Sequence, residues 1–428
     1  MIISRAKSIR GELSLPGDKS ISHRVALIAS LADGKSEIEG FASSKDCYST
    51  LNCLRELGAS IEETNNKLII NGVNKKGFSK PNKVLDAGNS GSTMRMLSGI
   101  LAGQSFTTEL TGDDSLRHRP MKRIVTPLRQ MGANIQTTNN NFAPLLISGG
   151  NLHGIKYDMP IASAQVKSCV LFAGLFTEGN TIVSESTQTR NHTELMLSEF
   201  GANITTKSNV ITINGQSTLH SCSYTVPSDI SSAAFLIAAT ILLPNSELLL
   251  HSIGINPTRR AIIDVLLQLG ANIEFINSHI QHGEYVSDLL IRSSELASND
   301  NTCTLKGNII ANLIDEVPIL AILATQTKGG LIIRDANELR IKESDRIRAI
   351  VDNLRTMNVE VEEYPDGFAI NGQQKLIGAK IDSMNDHRIA MAFTIAGLIA
   401  TGETEIISSD CVDISFPGFF NKLSSVTM

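Results

Sequence analysis

Short polar-apolar alternations and nearly all-apolar stretches follow one another along this chain. Gly11 to Leu15 alternates as a half-buried strand does, and the small-residue stretch Ser20 to Ala32 after it predicts a helix. Ser231 to Thr240 is apolar on almost every helical face, which predicts a helix buried inside its domain. Asn134 to Thr138, the turn Asn139-Asn140-Asn141 and Pro144 to Ser148 predict a hairpin. Other helices end on a shared signature: Leu54-Arg55-Glu56-Leu57-Gly58, Leu128-Arg129-Gln130-Met131-Gly132, Leu197-Ser198-Glu199-Phe200-Gly201, Leu266-Leu267-Gln268-Leu269-Gly270 and the weaker Leu354-Arg355-Thr356-Met357-Asn358. The glycine there supplies a left-handed C-cap.

A second recurrence lies at helix openings. Gly17-Asp18-Lys19-Ser20 leads into Arg24, and comparable openings follow at Gly88-Asn89-Ser90-Gly91, Ala162-Ser163-Ala164-Gln165, Pro227-Ser228-Asp229, Asp315-Glu316 and Asp386-His387-Arg388. Both recurrences return at similar long intervals, so the chain reads as six copies of one β-α-β-α-β-β unit, an α/β fold that divides naturally into two domains of three copies. The stretch Val226 to Asp229 is the best crossing between domains, and a second crossing near Pro16-Gly17 follows if the first strand belongs with the C-terminal half.

At 428 residues the chain is long enough for two or three cores. A formal charge of -5 argues against a general nucleic-acid binder, and 4% aromatic residues with no Trp argue against base-stacking platforms. The six cysteines are scattered without a Cys-x-x-Cys pair, and the nine histidines lack metal-ligand spacing, so neither a metal nor a disulfide framework is predicted. The longest apolar run, Ala233 to Leu243, is too short to span a bilayer, which predicts a soluble protein, and the scattered cysteines fit a reducing cytoplasm.

The cations are concentrated at helix openings. A helix N-terminus already presents unpaired N–H groups and partial positive charge, so Lys19 and Arg24 beside one make an anion site, with Ser20 on the same face as Arg24. In Gly112 to Arg123 a solvated helix start accounts for most of the charge. Arg119 is the exception, since Pro120 at a first helical position would aim it across the opening. Lys342 and Arg346, with Glu343 between, read either as an i,i+4 surface helix or as site groups. Arg388 enters an apolar helix and must be paired or ligand-facing. Asp315 is either an N-cap or a proton-transfer group among these cations. Gly17-Asp18-Lys19-Ser20 is not a nucleotide phosphate loop, because Glu12 stands where the first glycine is required.

Several of these strings, in order, resemble one family. Pro16-Gly17-Asp18-Lys19-Ser20 through His23-Arg24, Gly88-Asn89-Ser90-Gly91-Ser92 through Arg95, Arg119-Pro120-Met121, Ser163-Ala164-Gln165, Leu339-Arg340 through Arg346 and Asp386-His387-Arg388 are similar to 5-enolpyruvylshikimate-3-phosphate (EPSP) synthases, and the resemblance runs to Phe416-Pro417 through Phe420. It implies the enolpyruvyl transferase fold: two domains, 1–16 with 229–428 and 17–228, each of three units about a pseudo-threefold axis, with the active site in the cleft between them. It implies transfer of the enolpyruvyl group of phosphoenolpyruvate to the 5-hydroxyl of shikimate-3-phosphate by addition and elimination, without a cofactor or metal. Carried over by position, shikimate-3-phosphate would be held by Lys19, Ser20, Arg24, Ser163, Ala164, Gln165, Arg190, Asp315 and Lys342. Phosphoenolpyruvate would be held by Lys19, Gly91, Arg119, Gln165, Arg346 and Arg388, and Lys19, Asp315 and Glu343 would trade protons.

The resemblance further implies a glyphosate target and a monomer with no nucleic-acid or membrane partner. Two departures stand out: Cys411 to Ser415 lacks the lysine some members carry there, and Met96 replaces a proline. One rival is the sister enzyme acting on UDP-N-acetylglucosamine, but the cysteine usual in its loop is missing from Asp113 to His118. Another, a non-catalytic ring around DNA, conflicts with the acidic balance.

Overall fold

The structure, a computed structural model, describes residues 1–64, 67–298 and 302–428. It divides into two compact units: Met1–Pro16 with Pro227–Ile280 and Tyr285–Met428, and Gly17–Val226 with Gln281–Glu284. The chain therefore passes between units at Pro16 to Gly17, at Val226 to Pro227, and on either side of Gln281–Glu284. Each unit has its own apolar core.

One sheet plan recurs. Leu85–Asp86 runs parallel to Thr107–Thr111, which pairs antiparallel with Phe142–Ser148, which pairs antiparallel with Asn134–Thr138. The same order holds for Lys156–Asp158, Asn180–Ser184, Val210–Asn214 and Ile204–Lys207. It holds in the other unit for Cys303–Leu305, Leu331–Ile333, Gly367–Ile370 and Val361–Tyr364. Each of these three copies runs strand, helix, strand, helix and hairpin, whereas the last copy lacks the hairpin.

Three sheets borrow an outer strand from a distant stretch of sequence. Asp33–Glu39 takes Ser223–Thr225 as its parallel partner, and Glu247–Gly254 takes Arg10–Ser14. The last sheet pairs Lys380–Asp382 with Thr404–Ile407 and is finished by Ile2–Ile3.

Each copy carries one helix buried almost all round. They are Lys19–Leu31, Gly91–Ala102 and Ala164–Gly174 in one unit, and Ile230–Leu242, Val317–Ala324 and His387–Ile399 in the other. Small residues make this possible, because buried helices must approach closely. At Gly99 a Cβ would stand 2.1 Å from the carbonyl oxygen of Cys169, so any side chain there would push the helices Gly91–Ala102 and Ala164–Gly174 away from each other. The second helix of a copy ends at the signature: Gly58, Gly132, Gly201 and Gly270 have φ of +96°, +104°, +87° and +91°, and Asn358 has +64°. Asparagine is the residue after glycine that best tolerates this region, which explains the altered fifth signature.

Candidate active site

The openings of the three buried helices in the unit Gly17–Val226 are tied together by polar side chains. Asp18 caps Lys19–Leu31 by accepting from Ile21 N at 2.9 Å, Ser90 caps Gly91–Ala102, and Ser163 caps Ala164–Gly174. Lys19 Nζ donates to Asp46 Oδ2 at 2.8 Å. Arg24, almost fully buried, donates from Nε to Thr193 Oγ1 at 2.7 Å, from Nη1 to the carbonyl of Ser20 at 2.8 Å and from Nη2 to Ser168 Oγ at 3.0 Å. Arg190 Nη1 donates to Ser20 Oγ at 3.3 Å. Gln165 accepts from Arg95 Nη1 at 2.6 Å and donates to Ser92 Oγ at 2.9 Å.

Burial lowers the pKa of Arg24 and the nearby Arg190 charge lowers it again, while Glu194, Asp18 and Glu284 raise it, leaving it at about 10. The guanidinium is thus still a cation at neutral pH. His23, its neighbour in sequence, is pushed well below its ordinary pKa by burial and by the Lys19 and Arg24 charges. A neutral imidazole suits the chain of contacts it starts: His23 Nδ1 to Thr50 Oγ1 at 2.7 Å, Thr50 to Thr93 Oγ1 at 2.7 Å and Thr93 to Ser90 Oγ at 2.8 Å.

Arg119 is buried as well, donating from Nη2 to Asn89 Oδ1 at 2.8 Å and Ser115 Oγ at 3.0 Å. The expectation that Pro120 opens a helix fails. The helix Asp114–Arg117 ends before Arg119 and the next begins at Lys122, so Pro120 lies in the link. Its neighbours Arg117, His118 and Lys122 are exposed, as the solvated reading required. A Cβ on Gly91 would stand 3.1 Å from Arg95 Nη1 and 3.7 Å from Arg119 Nη1, so this glycine keeps the space in front of two guanidinium groups clear.

The other unit gathers its helix openings around arginines and carboxylates together. Asp386 caps His387–Ile399 by accepting from Arg388 N at 2.9 Å. The same carboxylate accepts from Arg346 Nε at 2.7 Å, and Arg346 Nη2 donates to Glu343 Oε2 at 2.5 Å. Arg388 Nη1 donates to the carbonyl of Asp315 at 2.7 Å, and Arg346 Nη1 lies 3.8 Å from Asp315 Oδ1. Burial would lower the pKa of Arg346, but Asp386 and Glu343 more than offset it and hold the group above its ordinary value. Burial draws Lys342 below its ordinary value, with Asp315 acting in the opposite direction.

The surface-helix alternative for Lys342 and Arg346 is overturned. Lys342 follows the 3-10 turn Asn337–Ile341, while Arg346 opens a separate helix, Arg346–Thr356, capped by Asp345. The two residues share no helix face. Arg346 is instead one of the largest fully buried side chains.

Asp315 also departs from the N-cap reading, because the helix Val317–Ala324 has no side-chain cap. Glu316 instead forms a fork with Arg259, Nη1 to Oε2 at 2.7 Å and Nη2 to Oε1 at 2.9 Å, and Ser231 Oγ bridges the pair. Arg259 and Ser231 escaped the sequence reading. The signal was available at Thr258-Arg259-Arg260, where arginines stand before an apolar helix as Arg388 does within one. Asp46 carries no signal, since it lies in no stretch with unusual charge, and Arg95 closes its motif with no role expected of it.

The expected site residues thus fall into two sets. Lys19, Ser20, Gly91, Arg119, Ser163, Ala164, Gln165, Arg24 and Arg190 lie in the unit Gly17–Val226, and Asp315, Lys342, Glu343, Arg346 and Arg388 in the other. Among the described residues no three His, Cys, Asp or Glu gather as metal ligands, and no helix is long and apolar enough to cross a membrane.

Comparisons with known proteins identify the family. The 3-phosphoshikimate 1-carboxyvinyltransferase of Solibacter usitatus is 48% identical over 99% of both chains, and that of Desulforamulus reducens is 48% identical over 100% of this chain and 99% of its own. The solved structure of EPSP synthase from Acinetobacter baumannii superimposes with a TM-score of 0.88 at 41% identity, covering 100% of this chain and 97% of that one. The fold is that of the two-domain enolpyruvyl transferases. Residues 3–423 match the family EPSP synthase (3-phosphoshikimate 1-carboxyvinyltransferase), and the chain belongs to that family.

Proposed function

We propose that the anion-directed groups of the two units act on one pair of substrates, phosphoenolpyruvate and shikimate-3-phosphate. The chain is a transferase of the shikimate pathway, moving the enolpyruvyl group of the first to the 5-hydroxyl of the second. The supporting observation is that Arg346 and Arg388 are buried and interleaved with Asp315 and Glu343. Fixed positive charge for an anion then lies beside groups that can give and take a proton.

In this reading Lys19, Ser20, Arg24, Ser163, the Ala164 backbone, Gln165, Arg190, Asp315 and Lys342 hold shikimate-3-phosphate. Lys19, Gly91, Arg119, Gln165, Arg346 and Arg388 hold phosphoenolpyruvate. Asp315 takes the proton of the 5-hydroxyl as its oxygen bonds to C2, and Glu343 gives a proton to C3. The tetrahedral adduct then loses a proton from the new methyl group, the double bond reforms, and phosphate leaves with the electrons of the C–O bond. Arginines suit the anions because their forks match carboxylate and phosphate oxygens.

The chain acts in this reading as a cytoplasmic monomer without cofactor. Six free thiols fit a reducing compartment. The deciding assay follows phosphate release from phosphoenolpyruvate with shikimate-3-phosphate or with UDP-N-acetylglucosamine. Release with the first alone is expected, and none from the folded protein with the first would overturn the reading.

A further inference from the structure

Lys167 stands two residues after Gln165 in the same motif with no role expected of it, yet its side chain is completely buried and its ammonium has three oxygen partners. Nζ lies 2.7 Å from Glu194 Oε1, 2.9 Å from Glu185 Oε2 and 3.3 Å from the carbonyl of Thr189. Glu185 in turn accepts from the backbone N–H of Thr189 at 3.2 Å and from its hydroxyl. One ammonium thereby binds the helix Ala164–Gly174, the stretch 185–189 and the helix His192–Glu199.

The residues next to this ion pair hold Arg24. Ser168 follows Lys167, Thr193 precedes Glu194, and their hydroxyl oxygens lie 2.6 Å apart. Arg24 donates to both of them. Arg190 directly follows Thr189, whose carbonyl Lys167 holds. We propose that Lys167 and Glu194 are positioning residues: their ion pair sets the spacing of the Ser168–Thr193 cradle and pins the segment that carries Arg190, so that two guanidinium groups stand ready for the phosphate of shikimate-3-phosphate. This rests on the assignment of Arg24 and Arg190 to that substrate made above.

Two further observations favour the idea. A buried ion triad is a poor source of stability, because desolvation consumes most of the Coulombic gain; what it supplies is fixed geometry. Glu194 Oε2 is also buried with no hydrogen-bond partner among the described residues. The Glu194 charge raises the pKa of Arg24, as Asp18 and Glu284 also do, and so works against the lowering by burial and by the Arg190 charge.

The test compares Lys167→Met and Glu194→Gln in the full chain, with Arg24→Ala as reference. It measures the Kd of shikimate-3-phosphate by calorimetry, KM for each substrate, kcat and Tm. Positioning predicts a Kd and KM for shikimate-3-phosphate raised about tenfold in both variants, with kcat and the phosphoenolpyruvate KM within about twofold of wild type. The sign is diagnostic for Glu194→Gln, since merely removing a negative charge near a dianion site would tighten binding. A purely structural role would lower Tm and leave the Kd of the folded protein unchanged. If Lys167→Met does not fold, Glu194→Gln carries the test. Unchanged or tighter binding in the folded variants, with binding lost in Arg24→Ala, overturns the positioning role alone; unchanged binding in Arg24→Ala as well overturns the underlying site assignment with it.

Discussion

Arg388 donates through Nη1 to the backbone carbonyl of Asp315 at 2.7 Å, while its Nη2 stands 3.8 Å from the carboxylate of the same residue. The Glu316 carboxylate is also held off, at 3.6 Å. The guanidinium is therefore aligned by a backbone carbonyl and the Ser231 hydroxyl, with two carboxylates just beyond hydrogen-bond distance. Replacing Arg388 by Ala is expected to raise the phosphoenolpyruvate KM and lower kcat, with kcat/KM down about 10²-fold. Arg119→Ala should act in the same direction. Steady-state kinetics with circular dichroism checks both, and unchanged kinetics in folded protein would mean that these arginines do not meet the substrate.

Glu343 shares a 2.5 Å contact with Arg346, so its carboxylate is oriented by a buried cation. As proton donor to C3 it should be indispensable to turnover rather than to binding. Glu343→Gln is expected to lower kcat roughly 10²- to 10⁴-fold while the KM of shikimate-3-phosphate changes less than about tenfold. Single-turnover measurements separate the two effects; a kcat near wild type excludes the donor role.

A methyl group at Gly91 would press against the Arg95 guanidinium and approach that of Arg119. The expected result of Gly91→Ala is weaker inhibition by glyphosate at matched phosphoenolpyruvate saturation, because the added carbon intrudes where the inhibitor would lie. Equal inhibition of both proteins would rule out this steric effect.

His23 makes stability depend on pH in a definite direction. Its folded pKa is depressed, so below about pH 6.5 the unfolded chain binds a proton that the folded chain refuses. Stability is complete above that pH and falls as the pH drops toward the folded value, by up to about 1.4 kcal/mol per pH unit. Urea unfolding at pH 7.5 and 5.5 tests this, with His23→Gln showing a smaller loss than wild type. The same loss in both proteins would place the proton elsewhere.

The repeated plan is legible in the sequence because two local features recur: capped helix openings and a left-handed residue after the second helix. Both are matters of short-range backbone chemistry, which is why even Asn358 announces its turn. What stays hidden depends on partners far apart in sequence. Glu316 carries no signal of its own, because nothing nearby shows that Arg259, 57 residues earlier, takes its carboxylate. Lys342 and Arg346 look like a helical pair because spacing alone does not reveal the break at Glu343 to Asp345. Pro120 resembles a helix start for the same kind of local reason. In the last two cases the sequence rightly points to a buried or constrained charge, and tertiary packing sets its geometry.

The borrowed outer strands bear on how this polypeptide is made. Arg10–Ser14 leaves the ribosome long before Glu247–Gly254, its neighbour in the sheet, exists. Residues 17–226 hold every strand of their own sheets and can mature first, while the opening segment waits unpaired. Cutting the chain between Val226 and Pro227 would therefore yield one piece carrying two surplus strands and another with two bare sheet edges, complementary fragments able to find each other again.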